Sequence, residues 1–412
     1  MKKSNLRVLF ISIILIFCIF KQAVAASTYS PLKLGIDVLM EENQDLIKGK
    51  KVGMLIAPSS LNSEFEHTID VIAKIANIKA VFTGEKYFRS LTEDASKTKK
   101  IDVLTEARVY EIIDPLKRPT IEELDMCEII IIDVQDIGIR YFNYVTILAQ
   151  FLELARDIDL PVILLDRPNP INGLLVAGPM LDESLRSRFG VYPIPLVHGM
   201  TYGELALYFN KVFGLGAKLT VIGMEGYSRE MTYSDTGLHW VPPSDHLSEP
   251  DYPSYYAITG FLGEMGVFST GVGTTRPFHY VLAPWMDGEL IAHNLDKYNL
   301  KGIRFRAVST KPYYGLYERK QVSGIEIIIL DSLAYDPVIT GVAILQVLFR
   351  LYPDRIPLDN TSLAQNMDIL LGVSYIRESI LKKAQINAII SEWNIKLAGF
   401  LDRRKNFLIY RD

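Results

Sequence analysis

The feature that most constrains the fold is the stretch of residues 128–134, which reads EIIIIDV. Four consecutive isoleucines favour an extended backbone and leave neither face of a strand polar. The stretch therefore predicts a strand that is buried on both faces of a sheet. Such a sheet needs helices on both sides, which the rest of the chain must supply.

The first half of the chain alternates strand and helix patterns. Further strands are predicted at 51–57, 78–83, 108–113 and 161–166, and helices at 67–76, 143–158 and 202–213, the last capped by Thr201. Strands that alternate with helices at this spacing indicate an α/β fold with a parallel, Rossmann-like sheet.

Polar side chains follow three of these strands. In open parallel sheets, ligands bind beyond the carboxyl ends of the strands. The residues predicted at that edge are Glu85 after the second strand, Asp133, Gln135, Asp136 and Arg140 near the fourth, and Asp166, Arg167 and Asn169 at the fifth. The sequence thus predicts a pocket there.

The second half has a different character, rich in Gly, Tyr and short strand patterns. We predict strands at 302–308 and 324–330 and helices at 338–351 and 376–393, which form a smaller α+β domain. The predicted domains span 26–255 and 256–412. The Pro-rich stretch 240–254, WVPPSDHLSEPDYPS, is either the segment that joins them or a long active-site loop of the first domain.

Residues 1–25 have the pattern of a secretory signal peptide. Lys2, Lys3 and Arg7 precede an apolar run at 8–20, and Ala23-Val24-Ala25 forms a small-residue cleavage site. The run is short for an uncleaved membrane anchor, which is the alternative. We therefore expect a periplasmic or secreted protein with no stable membrane anchor after cleavage.

Composition and motifs exclude several classes of partner. The formal net charge of -4 offers no basic field for nucleic acid. Ala57-Pro58-Ser59-Ser60 follows the first strand in place of a G-x-G-x-x-G fingerprint, which argues against a dinucleotide-dependent dehydrogenase. The stretch 271–276, GVGTTR, lacks the lysine of a phosphate-binding P-loop. We therefore expect no nucleotide cofactor.

Carboxylates at the predicted sheet edge suit glycoside hydrolysis, which normally needs two carboxyl groups around the scissile bond. Glu85 is the predicted general acid, and Asp133, Asp136 and Glu264 are its possible partners. Each of them can instead be an ordinary solvated or ion-paired carboxylate. Asp136 in particular stands four residues before Arg140, so the two can pair across a helical turn.

Several segments together resemble the exo-β-N-acetylmuramidase family, in the family's order and over nearly all of the chain after the signal peptide. They are FTGEKYF, IIDVQDIGIRYFNYV, LLDRPNPING, GPMLDE, VYPIPLVHGMTYGELA, GLHWVPPS and GVGTTRPF. The resemblance implies a Rossmann-like catalytic domain, an accessory domain and a cleft between them. It also implies removal of terminal β-1,4-linked N-acetylmuramic acid from peptidoglycan-derived saccharide, with no metal. Carried over residue by residue, it makes Glu85 the catalytic carboxyl and gives sugar contacts to Gln135, Arg140, Tyr144, Arg167, Asn169, His198 and Arg276.

This sequence departs from the family pattern at the predicted pocket. The family's Gly-Pro-Glu-His-Gly is here Thr83-Gly84-Glu85-Lys86-Tyr87, and Val272 replaces an arginine suited to the lactyl carboxylate of muramic acid. A lysine that met Glu85 would lower the pKa of that carboxyl. The sequence alone therefore leaves open a muramidase, a relative with altered sugar specificity, and a catalytically silent glycan-binding protein.

Overall fold

The computed structural model describes residues 32–85, 101–102, 104–359 and 361–411. The predicted signal peptide, Lys86 and Tyr87 lie outside the described residues.

The first domain is built on six parallel strands in the order β3-β2-β1-β4-β5-β8. The strands are β1 (Lys51–Ile56), β2 (Asn77–Thr83), β3 (Arg108–Glu111), β4 (Ile129–Asp133), β5 (Val162–Leu165) and β8 (Leu219–Ile222), and β6 (Ala177–Met180) pairs with β7 (Pro195–Val197) in a separate ribbon. β4 is buried at every position and pairs with β1 and β5, which confirms the central strand that the isoleucine run predicts. The edge strand β8 was not predicted.

Helices cover both faces of this sheet, as its apolar strands require. They are α1 (Gly35–Glu42), α2 (Thr68–Ala73), α3 (Ile121–Leu124), α4 (Asn143–Asp157) and α5 (Tyr202–Val212). Separate apolar cores fill the two sides. Thr201 caps α5 by accepting from the backbone N–H of Glu204, which confirms the predicted N-cap.

Chain order reverses between β1 and β4. From β1 the chain continues outward through β2 and β3, then returns to the other side of β1 to form β4. In doubly wound sheets such a switch point opens a crevice beyond the carboxyl ends of the two strands. The segments after β1, β2 and β4 therefore meet at the edge where the sequence places its pocket.

The second domain contains a three-stranded antiparallel sheet in the order β10-β11-β9, surrounded by helices. Its elements are α6 (Tyr252–Glu264), β9 (Tyr280–Ala283), α7 (Gly288–Asp296), β10 (Ile303–Thr310), β11 (Val322–Ile329), α8 (Pro337–Leu351), α9 (Thr361–Leu371), α10 (Tyr375–Leu381) and α11 (Ile386–Arg404). One prediction is wrong: the helix expected at 376–393 is broken into α10 and α11. Lys383 takes a left-handed backbone (φ 56°) and ends the first helix.

The end of the chain packs back onto the first domain. The Tyr410 hydroxyl donates to Asp166 (2.6 Å), and the Ile409 N–H donates to Glu204 (3.0 Å). The predicted domain boundary between 255 and 256 falls within the first turn of α6. Among the helices of the described residues, none is long and apolar enough to span a membrane.

Candidate active site

Glu85 lies just beyond β2, held there by a close backbone approach. The Gly84 N–H donates to the Tyr144 hydroxyl (3.1 Å), and the Glu85 N–H donates to Thr83 Oγ1 (3.3 Å). A side chain at Gly84 would bring its Cβ to 3.0 Å from the Tyr144 ring. Glycine therefore lets the loop lie against α4, so the position of Glu85 is set by the sheet and a buried tyrosine.

The side chain of Glu85 lines a cavity of about 410 Å³. The other lining residues come from the segments after β1, β2 and β3, from the start of α4 and from the Pro-rich stretch 240–254, namely Pro58, Gly84, Ile113, Asn143, Pro242, Pro243, Ser244 and Asp245. A second cavity, also about 410 Å³, shares Ser244 with the first and is lined by Glu264, His246 and several aromatic rings. The two cavities adjoin at Ser244, and we call them together the cleft; the second cavity is the one lined by residues of both domains.

The electrostatics of Glu85 suit a proton donor. Burial, and then the negative charge of Asp245, raise the pKa of Glu85 from 4.5 to about 7. Roughly half of such carboxyls carry a proton at neutral pH, whereas an ordinary glutamate is almost fully ionised. A general acid works best with a pKa near the operating pH. Lys86, expected to lower this pKa, lies outside the described residues.

Asp245 is the functional candidate that sequence reasoning missed. It stands in the stretch 240–254, which forms a wall of the cleft, as expected of an active-site loop. Its carboxylate is exposed while Glu85 is half-buried in the same cavity. One feature of the sequence could have identified Asp245: it directly follows two prolines and a serine. Prolines stiffen a turn, and a stiff turn holds its side chains in place.

We expect Asp245→Asn to move the alkaline limb of the pH profile of kcat/KM to lower pH. The substitution removes a negative charge that favours protonated Glu85, so the pKa of Glu85 falls and the acid is lost at a lower pH. Glu249→Gln, which removes an exposed carboxylate from the same stretch, is the matched control and should leave the limb in place. An unmoved limb in Asp245→Asn would show that the two carboxyl groups do not interact.

Asp133, a predicted partner of Glu85, is engaged elsewhere. It is fully buried and accepts from the Arg167 guanidinium through both oxygens, one of them at 2.8 Å, and from the Thr68 hydroxyl. Arg167, a predicted sugar ligand, also donates to the Leu61 carbonyl (2.7 Å). Neither residue lines the cavity of Glu85. Their geometry favours a supporting role at the strand ends.

Asp136 and His198 are also paired with each other in the interior. His198 Nε2 is 3.3 Å from Asp136 Oδ2, which accepts from the Gly138 N–H (2.8 Å), and both side chains are buried. His198 Nδ1 accepts from the Met200 N–H (3.3 Å). Neither residue lines either cavity of the cleft, so the structure does not bring Asp136 to Glu85.

The pairing of Asp136 with Arg140 across a helical turn is wrong, because α4 begins only at Asn143. The Arg140 guanidinium is fully buried and donates to the carbonyls of Pro179 (3.0 Å), Ile194 (3.1 Å) and Leu370 (3.1 Å). Leu370 belongs to α9, so Arg140 links the two domains. All three bonds are made to backbone and Arg140 lines neither cavity, so its predicted contact with sugar stays a prediction and its observed contacts are structural.

Gln135 and Asn169 are likewise bound to backbone. Gln135 Nε2 donates to the carbonyls of Asp136 and Pro168 (2.8 Å each), and Asn169 Nδ2 donates to that of Met200 (3.0 Å). Both side chains are buried, so these bonds hold the loops after β4 and β5 in place. Tyr144, by contrast, lies beside Glu85 through its contact with Gly84.

Two predicted site residues lie in the second domain. Glu264 is the last residue of α6, and it is exposed and lines the cleft. Of the three carboxylates predicted as partners of Glu85, it is the one that lines the cleft. Arg276 donates to Glu326 (2.6 Å) on β11 and lines neither cavity. The described residues contain no group of three or more His, Cys, Asp or Glu side chains that could hold a metal ion.

A half-buried carboxyl with a raised pKa, in a cleft that also holds other carboxylates, is the arrangement of a glycoside hydrolase, and the chain is an enzyme of that class. Family models described as "Exo-beta-N-acetylmuramidase NamZ" match residues 52–251 with the N-terminal model and 254–410 with the C-terminal one. The chain belongs to this family.

Individual relatives agree with this assignment. The peptidoglycan β-N-acetylmuramidase NamZ of Bacillus subtilis (strain 168) is 32% identical over 382 residues, which are 92% of this chain and 91% of the relative. A crystal structure of a DUF1343 family protein from Bacteroides fragilis NCTC 9343 is 31% identical, with a TM-score of 0.86 over 92% of this chain and 99% of that one. A second DUF1343 structure from that organism, 23% identical with a TM-score of 0.72 over the same shares, shows the fold alone.

Proposed function

We propose that this chain is an exo-acting glycosidase that removes terminal β-1,4-linked N-acetylmuramic acid from peptidoglycan fragments. The observation that carries the proposal is Glu85, a half-buried carboxyl that lines the cleft and whose raised pKa, about 7, suits a proton donor. The activity named for the Bacillus subtilis relative supplies the substrate class.

In the proposed reaction, Glu85 gives its proton to the glycosidic oxygen as the bond to the anomeric carbon breaks. Glu85 becomes a carboxylate, and positive charge develops on the sugar ring. The carboxylates of Asp245 and Glu264 line the same cleft, one in each cavity. We assign to them the stabilisation of that charge and the activation of the attacking water.

The cavity around Glu264 has the chemistry of a sugar subsite. Phe142, Tyr256, Phe268 and Phe278 supply apolar surface, and Ser269 and Thr270 supply hydroxyl groups. Ligand sites commonly combine a mostly apolar lining with a few placed polar groups. An N-acetylated pyranose, with an apolar ring face and methyl group beside its hydroxyls, matches that lining.

The alternative of a catalytically silent glycan-binding protein is not favoured. Two departures from the family pattern suggest that alternative: the altered motif around Glu85, and Val272 in the place of an arginine. The described surroundings of Glu85 nevertheless give it the protonation state that acid catalysis needs, and the curated relative is an enzyme.

Two disaccharides that differ only in the lactyl ether test the proposed specificity. The protein is expected to split N-acetylmuramic acid-β-1,4-N-acetylglucosamine and to leave di-N-acetylchitobiose intact, with free monosaccharides measured by mass spectrometry. Cleavage of di-N-acetylchitobiose at an equal rate would contradict a muramidase and indicate a general exo-hexosaminidase.

We further propose that the protein works outside the cytoplasm, in the periplasm or secreted, because residues 1–25 match a cleavable signal peptide. The mature chain is then expected to begin at Ala26 when N-terminal sequencing is applied to protein recovered from the source cells. A chain that retains Met1 in that fraction would contradict cleavage.

A further inference from the structure

The loop between β10 and β11, residues 311–321, carries an unusual set of side chains. It reads KPYYGLYERKQ, with three tyrosines and three basic residues against a single acidic one. Tyr313 and Tyr314 are 76% and 50% exposed, and Leu316 is 40% exposed. Large aromatic groups left in water near a ligand cleft commonly mark an interaction surface.

This loop is fixed to the cleft wall by contacts along its length. The Tyr313 N–H donates to the Gly273 carbonyl (2.7 Å), and the Tyr317 hydroxyl donates to the Val267 carbonyl (2.9 Å). A side chain at Gly273 would bring its Cβ to 2.0 Å from the Tyr314 carbonyl oxygen, so glycine is required for this approach. The exposed tyrosines are therefore presented on an anchored backbone.

The loop is continuous with the cleft of Glu85 and Glu264. Leu316 lines the Glu264 cavity together with Val272 and His246. The ring of Tyr314 stacks on that of His246, with the two ring planes 25° apart and their centroids separated by 6.3 Å. An apolar and aromatic surface thus runs from inside the cleft onto its outer rim.

The charge of this rim complements a peptidoglycan fragment. Lys311, Arg319 and Lys320 are exposed on the loop, although the chain as a whole carries a net charge of -4. Arg319 lies 3.4 Å from the carboxylate of Glu318, so three positive charges and one negative charge leave the loop with a net positive charge. Each further muramic acid unit bears a lactyl carboxylate or, where a peptide is joined to the lactyl group, the carboxylate at the end of that peptide. Neighbouring cations attract such groups at ordinary ionic strength.

We propose that the loop 311–321 binds the leaving part of substrates longer than a disaccharide, the third and later sugars, by stacking on Tyr313 and Tyr314 and by attraction to the loop's basic residues. The inference rests on the proposed exo-glycosidase function. An enzyme that removes one terminal sugar holds a disaccharide across its cleft, so any sugar that extends onto the rim belongs to the leaving group. The apolar ring faces of pyranoses pack on flat aromatic rings.

The test measures binding without turnover, in a Glu85→Gln background. Isothermal titration calorimetry compares the disaccharide with the tetrasaccharide of two muramic acid–N-acetylglucosamine units. The tetrasaccharide is expected to bind roughly tenfold more tightly, and Tyr313→Ala/Tyr314→Ala should remove most of that difference. Tyr313→Phe/Tyr314→Phe, which keeps the rings, should preserve it. The matched control Leu333→Ala removes a 65% exposed apolar side chain elsewhere in the domain and should also preserve it.

Equal affinities for the two ligands, or an unchanged ratio in the double alanine variant, would overturn the inference. Failure of the proposed function is a separate result, because it appears as absence of product from the disaccharide with native protein. The ratio of binding constants is measured whether or not that product forms.

Discussion

Replacing Glu85 with glutamine is expected to lower kcat for the muramic acid disaccharide by about 10²- to 10⁴-fold, the range typical for loss of a general acid. Glutamine keeps the size of the side chain but has no proton to give to the leaving oxygen. The disaccharide should therefore still bind, and the loss should appear in kcat rather than in KM. Progress curves at several substrate concentrations provide both constants.

A stability measurement separates this loss from misfolding. Because the pKa of Glu85 is raised from 4.5 to about 7, the folded protein binds more protons than the unfolded chain between these pH values. Its stability therefore falls as pH rises through that window. Glu85→Gln removes this penalty, so its Tm should exceed that of the native protein at pH 8. Full activity in the variant, or a lower Tm at pH 8, would contradict the role assigned to Glu85.

Arg167→Met is expected to have the largest effect on stability, a loss of about 3–5 kcal/mol in the free energy of unfolding. Arg167 pairs with Asp133 in the interior, where its side chain is 4% exposed and that of Asp133 is 1% exposed. Removing the cation takes away the positive charge beside a buried carboxylate, which keeps the hydrogen bond from the Thr68 hydroxyl but loses its ion pair. Urea unfolding, followed by circular dichroism, measures the change.

An exposed ion pair provides the matched control. Lys74 and Glu66 are also in close contact (2.6 Å), but their side chains are 56% and 44% exposed. Lys74→Gln should change the free energy of unfolding by less than about 1 kcal/mol. If Arg167→Met cost no more than that control and instead weakened sugar binding, the supporting role would be wrong and the ligand role predicted from sequence would hold.

Much of the fold could be predicted because the clearest patterns in the sequence indicate the same elements that the sheet topology requires. The isoleucines of β4 and the apolar face of α4 specify a buried parallel strand and its covering helix without reference to distant residues. The edge strand β8 escaped prediction because its four residues include exposed and half-buried positions. The break between α10 and α11 escaped as well, since no Gly or Pro stands at the left-handed residue Lys383.

The site was predictable only in part. The rule that ligands bind beyond strand ends selected Glu85, which lines a cavity, but it selected Asp133 and Asp136 equally, and these line neither cavity of the cleft. Their pairing with Arg167 and His198 depends on tertiary contacts that spacing does not reveal. Asp245 stands 160 positions after Glu85, and only the folding of the stretch 240–254 over the sheet edge brings the two carboxyl groups into one cavity.

Our central claim is that the protein hydrolyses the bond of a terminal muramic acid with Glu85 as the general acid. Product release from purified N-acetylmuramic acid-β-1,4-N-acetylglucosamine tests it most directly. Native protein and Glu85→Gln are incubated side by side near pH 6, and free N-acetylmuramic acid is measured over time. We expect steady release by the native protein and almost none by the variant. No release by the native protein, or equal release by both, would contradict it.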